Sequence, residues 1–86
     1  MNTPGNMYYS YILKSIKDGR YYYGSTGDLE KRILKHNQGG VPSTKNRRPL
    51  KLHYFETFES KLEAQKRERF YKSIDGYRYL KENSII

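Results

Sequence analysis

Asp18-Gly19, set between two tyrosine-rich segments, is the feature that most limits how this chain folds. An Asp-Gly pair tolerates the positive φ angles of a tight turn, so its flanks read as antiparallel strands over residues 7–13 and 20–24. A chain of 86 residues has room for one small domain. Only 35% of it is hydrophobic, so ten tyrosines and three phenylalanines must supply much of the core.

Downstream, Asp28 follows Ser25-Thr26-Gly27 and can cap a helix through Leu29, Ile33 and His36, which Gly39-Gly40 stops. Arg32 and His36 stand four apart, on neighbouring turns of one helical side. Residues 38–49 are rich in Gly, Pro and polar side chains and read as a surface loop carrying Lys45, Arg47 and Arg48. Residues 51–58 form a third strand, expected inside the sheet because both of its faces carry aromatics. Ser60 and Glu63 make a capping box for a helix from residue 61 to about 73, with Ala64, Tyr71 and Ile74 as its apolar stripe. Glu68 flanks that stripe and needs a partner there, since burying a carboxylate alone is costly. Gly76 is expected to break the helix, and residues 77–83 to add a short last helix packing Tyr77 and Leu80. The predicted domain spans residues 7–83, between a flexible lead at 1–6 and a loosely held end at 84–86.

Charge narrows the function. Seventeen Lys and Arg against nine Asp and Glu give +8 and a pI near 9.7, a balance suited to a polyanion. DNA is the expected partner, and RNA presents the same phosphate. A merely solvated basic surface is the plainer alternative. No segment approaches the roughly 20 apolar residues of a membrane span, and the start lacks the apolar core of a secretion signal. With no cysteine, neither disulfides nor thiolate zinc sites hold the fold. A reducing cytoplasm is the expected location. Two histidines give no zinc-protease pattern, and no glycine cluster forms a phosphate-binding loop.

The hairpin itself leaves the tyrosines apart. A two-residue Asp18-Gly19 turn puts Tyr11 and Tyr22 on one face but about 13 Å apart along the strand. A three-residue loop with a Gly19 bulge would reverse the facing. Taken singly, Arg32 and His36 fit an exposed basic helix edge, and strand tyrosines fit packing.

Together, Tyr9-Ser10-Tyr11, Tyr22-Tyr23-Gly24, the run from Asp28-Leu29 through Arg32 to His36-Asn37, and Ala64 with Arg67-Glu68 occur in one order. In this the chain resembles the GIY-YIG nuclease family from about residue 7 to 72. It is similar above all to small stand-alone members related to the incision domain of bacterial excision-repair nucleases. The first motif keeps only its tyrosine, the second departs at its middle position, and Asn83 does not align with the family's late asparagine. The resemblance implies an α+β fold, a small three-stranded antiparallel sheet flanked by helices, with the site side chains converging on one shallow face. It implies a hairpin register other than the simple one. It also implies a metal-dependent endonuclease: Glu68 as ligand of one Mg2+ or Mn2+, Tyr11 or Tyr22 activating water, and Arg32 and His36 as charge stabilisers or proton handlers. Lys45, Arg47 and Arg48 are the candidates for backbone phosphate contacts. Two other classes fit the same residues: a binding module that holds nucleic acid by phosphate contact and stacking, and an adaptor docked on a larger repair complex.

Overall fold

The computed structural model describes residues 7–86; the lead read at residues 1–6 lies outside the described residues. Its elements run β1 (Tyr8–Ser15), β2 (Tyr21–Thr26), α1 (Leu29–Asn37), a single 3-10 turn at Lys45–Arg47, β3 (Leu50–Phe58), α2 (Lys61–Tyr71) and α3 (Ile74–Glu82). The expected three-stranded antiparallel sheet forms, in the order β2-β1-β3. The third strand is thus an edge, not the internal strand its aromatics suggested. The centre belongs to β1, whose Ser10, Tyr11, Ile12 and Leu13 are all fully buried.

Strand side chains alternate across the sheet, so β1 feeds two separate cores. In front, Tyr11, Leu13 and Leu50 pack with Tyr22, Leu52 and the α1 residues Leu29 and Ile33. Behind, Ile12 packs with Tyr71 of α2, Leu80 of α3, Tyr23 and Tyr54. Half-buried Glu56 ties this rear layer together by accepting hydrogen bonds from Arg67, Tyr71 and Tyr54. Burial works to raise its pKa, but these donors prevail and hold the carboxyl below its ordinary value. The same environment works on Tyr54, whose phenol is pushed up to about 12 by burial and by the Glu56 carboxylate.

Both predicted helix starts are present. Asp28 accepts the Lys31 amide at 3.1 Å, and Ser60 accepts the Glu63 amide at 3.1 Å. The last third of the chain departs from expectation. Helix α2 ends at Tyr71, and Gly76 lies inside the first turn of α3. Gly76 is required by packing: a β-carbon there would collide with the Phe70 carbonyl oxygen. Ile74, expected in the apolar stripe, is 78% exposed, and Tyr77 is exposed as well, while Leu80 is buried as expected. The end is also less loose than predicted, since Ile85 and Ile86 pack on the rear core and the Ile85 carbonyl meets the His53 ring.

Candidate active site

The hairpin turns neither in two residues nor in three. Ser15 and Arg20 close a four-residue loop, 16–19, through a 2.8 Å bond from the Ser15 amide to the Arg20 carbonyl. Gly19 takes the left-handed conformation, at φ 71°. Tyr11 then faces Gly24, and Tyr22 faces Leu13. The two tyrosines stay on one face but stand only two residues apart along the ladder, about 7 Å at the usual strand rise. Their ring centroids are 6.4 Å apart. Gly24 makes the arrangement feasible, because a side chain there would occupy the space of the Tyr11 phenol.

Helix α1 lies over this face and brings Arg32 and His36 to it. The Tyr11 hydroxyl is 3.0 Å from His36 Nε2, and Arg32 Nε donates to the same hydroxyl at 3.4 Å. His36 also packs edge-on against Tyr22, with centroids 4.9 Å apart. Burial, with the nearby charges of Arg32 and Lys35, holds the His36 imidazole down at about 4, so it is neutral at neutral pH. Burial raises the Tyr11 phenol, against the opposing pull of the Arg32 hydrogen bond and charge. Arg32 in turn is held in its charged form first by Tyr11, which accepts its Nε–H, and also by the nearby Tyr22 phenol. Tyr11 is fully buried, whereas Tyr22 and Arg32 are half-buried and meet solvent.

Glu68 arrives from the other layer. Four of the five residues expected on one shallow face are there, but α2 packs on the rear face, where Ser10, the neighbour of Tyr11, bonds to Tyr71. Glu68 reaches the sheet at Ser25 of the edge strand β2, whose hydroxyl donates to Oε1 at 2.7 Å. Lys72 donates to Oε2 at 2.7 Å. The Glu68 charge still reaches across, as one of the influences raising the Tyr11 pKa. No group of three His, Cys, Asp or Glu side chains suited to a metal occurs among the described residues. One carboxylate beside a hydroxyl oxygen suits only a hard cation that keeps most of its water. The Lys72 partner is an i,i+4 pair at a half-exposed side chain, worth about 0.5 kcal/mol or less, so it can yield to such an ion.

The basic loop divides. Arg47 is tied to the hairpin, through Asp18 at 3.0 Å and through its carbonyl, which accepts from Ser15 at 2.6 Å. The Arg20 amide and the Arg47 guanidinium hold the Asp18 carboxyl at about 2. Lys45 and Arg48 are exposed and line an open depression of about 500 Å³ with Lys17, Asn37 and Asn46. Sequence reasoning placed Thr44 at the head of the phosphate-contact run 44–48 and gave it no part in the reaction centre. Its side chain is fully buried, with Oγ1 2.8 Å from His36 Nδ1. No periodicity or motif marks a threonine eight residues beyond the histidine it touches.

Comparison with known proteins agrees with this architecture. The model of the GIY-YIG catalytic domain matches residues 7–79. A UPF0213 protein of Clostridium perfringens is 54% identical over 69 residues, covering 79% of this chain and 73% of that protein. One from Staphylococcus saprophyticus is 49% identical, covering 86% of this chain and 90% of its own. The solution NMR structure of a UPF0213 protein from Bacillus halodurans superposes with a TM-score of 0.54 at 36% identity, over 92% of this chain and 84% of that one. No helix among the described residues is long and apolar enough to cross a membrane.

Proposed function

The chain belongs to the GIY-YIG family, a family of endonucleases, and from that premise we propose that it hydrolyses phosphodiester bonds in DNA with the help of one divalent cation. The observation that carries this is the Arg32 guanidinium, which donates to the buried Tyr11 phenol beside Tyr22, a phenol that meets solvent. Tyr22 is the group that takes the proton of the attacking water. Arg32 also binds a non-bridging phosphate oxygen, whose negative charge grows as water adds to phosphorus. Tyr11, closed to solvent, holds Arg32 from behind, and His36 holds Tyr11.

Glu68 is the ligand for the cation, Mg2+ or Mn2+, with Ser25 orienting the carboxylate. Such an ion would neutralise charge on the scissile phosphate and on the leaving oxygen. Lys45 and Arg48 extend the phosphate-binding surface away from the reaction centre, and the cytoplasm is the setting.

One observation favours the second reading, a binding module without catalysis: the Glu68 carboxylate already has an ammonium partner in Lys72. The test is incubation of the purified protein with labelled duplex, nicked, branched and single-stranded DNA, and RNA, in magnesium, manganese or chelator, beside Glu68→Gln and Tyr22→Phe. Metal-dependent cutting that both variants lose supports the nuclease. Binding to the same panel with no cutting under any condition leaves the binding module.

A further inference from the structure

We infer that Thr44 is a positioning residue: it fixes which nitrogen of His36 carries the proton, and so aims the Tyr11 hydroxyl away from Arg32. This rests on the reading of Arg32 above. The direction of every bond in the chain follows from one end. A guanidinium has no lone pair to offer, so Arg32 Nε can only donate to Tyr11. The buried Tyr11 hydrogen still needs an acceptor, and the other group bonded to this hydroxyl is His36 Nε2. That nitrogen accepts only when bare, and a neutral imidazole bare at Nε2 carries its proton on Nδ1. Nδ1 then donates to Thr44, and the Thr44 hydroxyl passes its own hydrogen to the Val41 carbonyl at 3.4 Å.

Each group in this relay uses its one available role, and both His36 and Thr44 are wholly buried, so water cannot substitute. Without the Thr44 acceptor the imidazole loses its reason to protonate Nδ1. Protonated instead at Nε2, it would donate to Tyr11 as Arg32 does, and the buried Tyr11 hydrogen would be left with no acceptor among its partners. A buried hydroxyl hydrogen without an acceptor is costly, and rotation to relieve it would weaken the bond from Arg32. The loop holding Thr44 is anchored for this task by Ser15 and Asp18, which grip Arg47 three residues on.

The experiment is a long-range proton–nitrogen NMR spectrum of the His36 ring in wild type, Thr44→Ser and Thr44→Val, beside strand cleavage by the same proteins. Wild type and Thr44→Ser should show the Nδ1–H tautomer, and Thr44→Val a shift toward Nε2–H. Cleavage by Thr44→Val should fall on the order of 10-fold in kcat with KM nearly unchanged, and Thr44→Ser should restore it. An Nε2–H tautomer in wild type overturns the inference whether or not the valine variant folds. So does a Thr44→Val ring spectrum identical to wild type. If wild type cuts nothing, the nuclease reading fails, and the ring spectra still decide the tautomer.

Discussion

The Tyr11 phenol rests against Gly24, its partner across the strands: a β-carbon on Gly24 would lie 2.5 Å from both Cζ and the hydroxyl oxygen of Tyr11. Alanine ordinarily gains about 0.5–1 kcal/mol over glycine within a strand, but overpacking a filled site costs about 1–3 kcal/mol. Gly24→Ala should therefore be destabilising, with a lower urea midpoint. A midpoint at or above wild type would mean that the phenol moves aside freely and that its place is not fixed by the glycine.

Removing charge from the reaction centre should separate cutting from binding. Glu68→Gln and Arg32→Ala should each reduce cleavage on the order of 10²-fold or more, with affinity for uncut DNA nearly unchanged. Single-turnover rates and a binding titration measure the two. Wild-type cutting by Glu68→Gln would remove that carboxylate from metal binding.

Stability should fall on acidification through His36. Its folded pKa of about 4 lies below the ordinary value of 6.5, so the unfolded chain takes up the proton first. The contribution is complete above pH 6.5 and is lost as pH falls toward 4. Thermal midpoints between pH 7 and pH 5, above the carboxylate range, should drop for wild type and drop less for His36→Gln. Equal slopes for the two proteins would contradict burial of a neutral ring.

The cations of the loop should not act alike. Lys45→Ala and Arg48→Ala should each flatten the dependence of log affinity on log salt by about 0.9 for every phosphate left without its cation. Arg47→Ala should instead lower the melting temperature, because it frees the loop from Asp18. A flattened salt slope with unchanged melting for Arg47→Ala would place that side chain on the nucleic acid.

Local chemistry was legible where a few neighbouring residues decide the outcome. The caps at Asp28 and Ser60 and the three strands follow from such short-range patterns, and so does the pairing of Arg32 with His36 on one helix side, while the α+β class came with the family resemblance. What escaped depends on partners distant in sequence. Loop length set the register, and an Asp-Gly pair allows several lengths. Aromatics on both sides of β3 suggested a central strand, yet Phe55 is 45% exposed at the edge. Gly76 carries the composition of a helix stop, but the backbone pressed against it is what demands the glycine. Thr44 reaches His36 only once the loop has folded back over α1.

Ser10 and Tyr11 are consecutive on β1 but serve opposite cores. Effort spent making this scaffold more heat-resistant by redesigning the rear layer would tug on Tyr11, the support of Arg32, through a single peptide unit. Gains that spare turnover should be sought instead on the helix exteriors, at sites such as Leu34 and Leu62, which are more than half exposed.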